Sequence, residues 1–378
     1  STAVAANTRF RLTASIDRDP QIFRVHQGGI SGLTFSPVGQ WMATSDLDGF
    51  VWLWRMDTLT PETLLRTGAG DAAAPQFSPD STLLLAADEA GRFYVWHVQS
   101  DAALAQIQTG DRPFKALAVA GDELLYGGVE GMIGRWNWAT GATGQFNAGH
   151  GQLLTLAVSP DGELVAAGDI SGMIWLLRRS DGKLLRSWQA HPNDVRSLVF
   201  LPDGASLVSS GGEPVIRIWN LADGDLLRTL RGHSNDVNGL ALAADGQSLF
   251  SASHDGTLRR WQWQTGQQQE SYPLNMPALA LALSDDGQWL AGAGLGDGVL
   301  VWPVGQPDVD PLVLPQAAAV RTLLFAPDNS LVSGDETGLV HIWSLDSRSE
   351  ADFRAHAAPF RADDLALSGD GRVLFSVG

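Results

Sequence analysis

One phrase recurs eight times in this chain at a spacing of 40 to 42 residues. Trp54, Trp96, Trp136, Trp219, Trp261, Trp302 and Trp343 hold its closing position, and Leu177 holds it once. Most of these marks follow a turn rich in Gly, Asp or Glu by five or six residues, as in DLDGFVWLW, DEAGRFYVW, HDGTLRRWQW and DETGLVHIW. A continuous core rarely grows large enough for 378 residues. A periodic chain escapes that limit, because each unit buries its apolar surface against its neighbours. The chain is therefore read as an array of like units.

A second landmark, a polar turn between two apolar runs, appears as SPVGQ, SPDST, AGDEL, SPDGE, LPDGA, AADGQ, DDGQW, APDNS and SGDGR. Asp-Gly and Pro-Asp-Gly supply the backbone angles of hairpin turns, so each marks the link between two antiparallel strands. Residues 237–274 then divide into four strands, VNGLALA, SLFSAS, TLRRWQW and QQQESYPL. No segment has helical periodicity. The fold class is all-β.

These features, with the dipeptides Gly149-His150 and Gly232-His233, resemble the WD40 repeat family of β-propellers over essentially the whole chain. The resemblance implies one domain, residues 1–378, of four-stranded antiparallel blades around a central channel. It also implies a hydrogen-bonded brace of His, Ser or Thr, Asp and Trp inside a blade. Carried over, His233, Ser251, Asp255 and Trp261 form one brace, and His26, Ser45, Asp48 and Trp54 form another. Two departures stand out: no Trp at these positions is followed by Asp, although Asn137 and Asn220 come close, and Leu177 replaces the fourth Trp. A Trp buries roughly 150–250 Å², so it anchors a sheet even where the brace is incomplete.

Eight complete units run from the Trp54 mark to the Trp343 mark. The tail FRADDLALSGDGRVLFSVG reads as the first two strands of another unit, and TRFRLTAS with QIFRVHQ at the front reads as the missing two. The expectation is a nine-bladed ring closed by pairing the N- and C-terminal strands, which removes exposed edges. The alternative is an eight-bladed ring with loose ends.

Composition removes several functions. A net charge of −17 repels phosphate backbones, so nucleic acid is not an expected partner. With no cysteine there is no disulfide, thiolate nucleophile or zinc-thiolate site. No apolar run approaches the roughly 18 residues of a membrane-spanning helix. The start STAVAANT shows neither an initiator Met nor a leader, which leans the reading toward an exported, processed chain.

Candidate chemistry is sparse. GAGLGDG at 292–298 lies between two strands, whereas a phosphate cradle needs a strand-to-helix junction. DLDG at 46–49 and DVDP at 308–311 lack the remaining ligands of a calcium loop. GISG at 29–32 lacks the full nucleophile elbow. His26, His150, His191 and His233 share one repeat position, as brace or loop residues do. The chain is read as non-catalytic, with no cofactor and no metal.

In the resembled family the rim around the channel mouth is the usual docking face. The position five residues after the repeat His, which reaches toward it, holds Ser31, Ala73, Lys115, Thr155, Arg196, Asn238, Leu279, Arg321 and Arg361. The partner-binding set drawn from it is Lys115, Arg196, Asn238, Arg321 and Arg361. Four of these are cations in a strongly acidic chain, suited to an acidic or phosphorylated protein segment. The competing reading pairs them with Asp194, Asp236 or Asp71. The expected function is a protein-interaction scaffold, docking partners at the mouth or on blade edges. The alternative is a propeller with a small ligand or catalytic site in its channel, and a third reading makes it a subunit of a larger assembly.

Overall fold

The computed structural model describes residues 30–345 apart from short stretches in the turns, together with His26 and the strands Asp364–Leu367 and Leu374–Val377. Seven four-stranded antiparallel sheets follow one another at 30–66, 72–108, 114–147, 153–189, 195–231, 237–273 and 278–314. They are numbered here as blades 1 to 7. An eighth sheet has three strands, Val320–Phe325, Leu331–Asp335 and Val340–Trp343.

Within each blade the strands pair in chain order, and first strands of successive blades lie against one another, as in blades 3 to 7. First strands therefore surround the axis and fourth strands form the rim. Burial follows from this. The second strands of blades 5 and 6, Ser206–Gly211 and Ser248–Ser253, are buried at every position, because neighbouring strands flank them and neighbouring blades cover both faces. The fourth strand of blade 6, Gln267–Pro273, is largely exposed and correspondingly polar. The repeat-marking residues are the anchors expected from the sequence: Trp261 is 1% exposed, Trp302 0%, and Leu177, in the place of a Trp, 0%.

Apolar clusters lie between consecutive sheets. Leu201, Val208 and Ile218 of blade 5, for example, meet Leu240, Leu249 and Trp261 of blade 6. The same relation closes the ring, for Ala326, Val332, Val340 and Ile342 of the eighth sheet pack with Ile30, Leu33, Met42 and Trp54 of blade 1. Three glycines at one register position show that this seam is equivalent to the others. A Cβ on Gly127 would stand 3.0 Å from Leu153 of the next blade, one on Gly168 2.6 Å from Val195, and one on Gly334 3.0 Å from Ile30.

This geometry corrects the blade count. Seven complete blades are present among the described residues, rather than nine or eight, and no further blade stands between the eighth sheet and blade 1. The strands Asp364–Leu367 and Leu374–Val377 pair only with each other among the described residues. Residues 1–25, expected to finish a closing blade, lie outside the described residues. Contact between the eighth sheet and blade 1 already buries the surfaces that a closing blade was expected to cover.

The rim carries two further devices. In blades 1, 2, 4, 5 and 6 the fourth strand holds one extra residue opposite the anchor: Glu62, Leu104, Leu185, Leu227 and Gln269. A bulge on an edge strand twists its free hydrogen-bonding groups out of line and discourages pairing with another chain.

Arginines then tie the rim strands of blades 4 and 5 to the next blade. Arg186 donates from Nη2 to the Ala222 carbonyl at 2.6 Å, and Arg228 donates to the Thr265 and Gln264 carbonyls at 3.1 and 2.9 Å. Each stem lies under a turn glycine, Gly224 or Gly266, where a Cβ would come within 2.8 or 2.5 Å of the arginine Cδ. A guanidinium forks toward two carbonyls, as that of Arg228 does, where an ammonium does not, which gives a structural use to two members of a basic set of 25 residues in which only Lys115 and Lys183 are lysines. The double substitution Arg186→Lys and Arg228→Lys is expected to lower stability by about 1 kcal/mol, read as a shift of the urea midpoint at constant slope.

Candidate functional site

The braces form one part of the mouth face. In blade 6 the Trp261 indole Nε1 donates to Ser251 Oγ at 2.8 Å, His233 Nε2 lies 2.7 Å from Ser251 Oγ, and His233 Nδ1 lies 2.8 Å from Asp255 Oδ2. Indole can only donate and an ionised carboxylate can only accept. The chain of bonds is therefore consistent in one sense: Trp to Ser, Ser hydroxyl to His Nε2, His Nδ1–H to Asp. It requires a neutral imidazole. The expected brace of His233, Ser251, Asp255 and Trp261 is present.

The brace of blade 1 differs from expectation at two residues. His26 bonds Thr44 Oγ1 at 2.6 Å and Asp46 Oδ2 at 2.7 Å, and Trp54 Nε1 donates to Thr44 Oγ1 at 2.9 Å. Ser45 is one residue out of register, and neighbouring side chains on a strand point to opposite faces. Asp48 is an exposed turn residue whose own N–H donates to Asp46 Oδ1 at 3.0 Å. The acid here ends the second strand, whereas in blade 6 it stands two residues beyond Ser253.

Blade 5 holds a brace that the sequence reading missed. His191 Nδ1 lies 2.7 Å from Glu213 Oε1, its Nε2 2.7 Å from Ser209 Oγ, and Trp219 Nε1 donates to Ser209 Oγ at 2.8 Å. The separations of 18 and 22 residues from the His match those of blade 6, and were the available signal. Glutamate in the acid position hid it.

An acid recurs in blades 1, 2, 4, 5 and 6 and in the eighth sheet, and the residue two before the anchor serves it where another partner is needed. Tyr94 donates its hydroxyl to Asp88 at 3.0 Å, Trp175 its indole N–H to Asp169 at 3.0 Å, and His341 stands 3.6 Å from Asp335. In blade 5 Arg217 at this position pairs with Glu213. In the eighth sheet Gln316 takes the role of the brace His, donating to Ser333 Oγ.

Protonation is set by burial. His191 and His233 are both held below the ordinary histidine range, chiefly because burial penalises the imidazolium and secondarily through Arg217 and Arg259; their acids pull the other way. Glu213 and Asp255 are themselves depressed, since bonds from Arg217 and His191, and from Thr257, Ser234 and His233, outweigh the upward effect of burial.

The predicted mouth ring has an unexpected structural basis. In seven sheets the first strand skips one residue against the second, and that unpaired residue is Ser31, Lys115, Leu154, Arg196, Asn238, Leu279 or Arg321. A bulge re-aims the side chain it frees. Thr155 does not belong to this ring: it pairs with Gly168 and is 1% exposed, and Leu154 takes the position. Blade 2 has its irregularity later, between Ala73 and Gln76. Arg361 lies outside the described residues.

Arg196 and Asn238 are brought together. Arg196 Nη1 donates to Asn238 Oδ1 at 2.7 Å, and Arg196 also pairs with Asp194 and Asp236, each at 3.0 Å. Asn238 Nδ2 donates onward to the Ala278 carbonyl at 3.0 Å, linking blades 5, 6 and 7. The internal pairing weighed for the ring holds at Arg196. Among the described residues no group of three His, Asp or Glu residues is arranged to hold a metal, and no helix is long and apolar enough to cross a membrane.

The family model for the WD domain, G-beta repeat, matches residues 9–55, 182–220 and 224–262. The WD repeat-containing protein 91 homolog of Dictyostelium discoideum is 24% identical over 185 residues, 46% of this chain and 24% of that protein. The WD repeat-containing protein SL1-17 of Schistosoma mansoni is 29% identical over 169 residues, 43% of this chain and 55% of that protein. The chain thus spans from a quarter to about half the length of these relatives. Among solved structures, the C-terminal WD40 domain of Sif2 superposes with a TM-score of 0.74 at 17% identity, covering 86% of this chain and 99% of that one.

Proposed function

Since the chain belongs to the WD40 repeat family, we propose that it is a non-catalytic platform that docks protein segments on its mouth face. The observation that carries this reading is the ring of first-strand bulges, which repeats one side-chain position around the mouth with residues of varied chemistry. Rigid, repeated scaffolds that present variable positions suit recognition. The bulged rim strands disfavour the blade edges as docking sites. Arg196 and Asn238 hold the mouth loops of blades 5 to 7 together, so contact with an acidic or phosphorylated segment falls to Lys115, Arg321 and Arg361. The third reading, a subunit within a larger assembly, uses the same face.

The test is site-specific photo-cross-linking in the native source. A photoreactive residue at Leu154 or Leu279, on the bulge ring, is expected to capture partner protein. The same residue at Leu185 or Leu227, on the rim, is not. Adducts concentrated at the rim would overturn the reading.

A further inference from the structure

Two braces and two mouth loops share residues. His191 opens the segment that carries Asn193, Asp194 and Arg196; His233 opens the one that carries Asn235, Asp236 and Asn238. Each segment is tied to the turn between the second and third strands of its own blade. Gly212 N–H donates to Asp194 Oδ1 at 2.6 Å and Asn193 Nδ2 to the Gly212 carbonyl at 2.6 Å; Ser234 N–H donates to Asp255 Oδ2 at 3.0 Å and His254 N–H to the Asp236 carbonyl at 2.9 Å. The segments are joined to each other through Arg196, Asp236 and Asn238.

We propose that the mouth sector of blades 5 and 6 is a pH-sensitive latch between the docking positions Leu154 and Leu279, in which protonation of His191 and His233 releases both loops together. The inference rests on the docking reading above and adds its regulation. The geometry supplies the mechanism. A second proton on either imidazole must sit on Nε2, which faces a Ser oxygen already accepting from Trp219 or Trp261. The serine hydroxyl must then turn away from its partner in a buried site, where an unmatched donor is costly.

The groups around each ring determine how the loop responds. His191 faces Glu213 and Arg217 from the third strand and Asp194 from its own loop. His233 faces Asp255 from the turn and Arg259 from the third strand, with Thr257 beside Nδ1. The acids favour a proton and the arginines oppose it; burial decides for the neutral ring. Opening exposes the imidazole to water, where it titrates near 6.5. Because the closed state holds both histidines below that value, closure is fully favoured above about pH 6.5 and is lost as pH falls below it.

The chain contains its own controls. In blade 7 Leu274 occupies the position 28 residues before the anchor Trp302 and is 1% exposed, so nothing titrates there. In the eighth sheet Gln316 occupies the brace position and donates from Nε2 to Ser333 Oγ, so an amide that does not titrate reaches the brace hydroxyl there.

Amide hydrogen exchange, corrected for the intrinsic pH effect, tests the proposal. The Gly212, Ser234 and His254 amides should open more at pH 5.5 than at 7.5, by up to about tenfold for each histidine that takes up a proton on opening. The Leu295 amide, bonded to the Pro277 carbonyl in blade 7, should not change. In the H191Q/H233Q variant, checked for folding at pH 7.5 by tryptophan fluorescence, the response should vanish. Equal loosening in the wild type and the variant, or equal loosening at Leu295, overturns the proposal. Cross-linking from Leu154 and Leu279 at both pH values separates the two readings: loss of adducts at pH 5.5 in the wild type alone supports the regulated surface. Absence of adducts at either pH, with the exchange response intact, overturns docking at this face and leaves only the loop transition.

Discussion

Trp261→Ala is expected to lower the free energy of unfolding by about 3–5 kcal/mol, the range for truncating a large buried aromatic side chain. Two costs combine. The indole is 1% exposed and lies in the cluster between blades 5 and 6 with Ile216, Ile218, Leu240 and Leu249, so its removal leaves a cavity shared by two sheets. It also removes the donor that fixes Ser251 and, through Ser251, the His233 tautomer. Trp261→Phe separates these costs. Most of the apolar volume stays, Ser251 keeps its bond to His233, and the loss should fall to about 1–2 kcal/mol. Urea denaturation of both variants provides the measurement, with unchanged slope as the sign that the unfolded state is the same. A phenylalanine variant as unstable as the alanine variant would locate the energy in the hydrogen bond rather than in packing. Leu177 is the natural counterpart: blade 4 does without an indole at the anchor because Trp175, two residues earlier, reaches Asp169.

What the sequence makes legible is local. A Trp, a turn and an alternating strand lie within one unit, so period and strand order can be read from spacing, and the family resemblance that those features carry implies the brace of His233, Ser251, Asp255 and Trp261. Features that depend on a single residue of register are less visible. Thr44 and Asp46 replace the expected Ser45 and Asp48 because the acid can end the second strand or sit in the turn beyond it while still reaching the histidine. Glu213 escapes notice because its extra methylene reaches the same place as Asp255. The bulge that makes Leu154, and not Thr155, a mouth residue leaves no mark in composition.

Closure and pairing are less legible still, since they depend on surfaces far apart in the chain. Nothing near Gly334 announces that Ile30 will lie against it. Nor does the sequence around Arg196 reveal that Asp236, 40 residues later, will claim the same guanidinium. Repeats of similar sequence leave the count of blades to the curvature of each seam, which is set by side-chain volume rather than by pattern.

Glu123→Ala is the second substitution with a large expected effect, because it removes one carboxylate from between two arginines at the seam of blades 3 and 4. Glu123 is 4% exposed; its Oε1 lies 2.5 Å from Arg135 Nε and its Oε2 3.0 Å from Arg179 Nη1. Arg135 further donates to the carbonyls of Arg179 and Ser180 at 3.2 and 3.1 Å, so the two cations are held close whether or not the acid is there. Removing one partner from a buried ionic group typically costs 3–5 kcal/mol. Here both arginine side chains keep 29% exposure and can recover part of their hydration, which lowers the expectation to about 2–3 kcal/mol. Replacing all three residues with methionine removes the charges together and should restore most of that loss, because the cost lies in the uncompensated arginines. Urea midpoints of the single and triple variants decide the matter. A single variant within 0.5 kcal/mol of the parent would mean that the arginines turn out to solvent, leaving Ala116, Leu125, Leu153 and Leu156 to hold the seam.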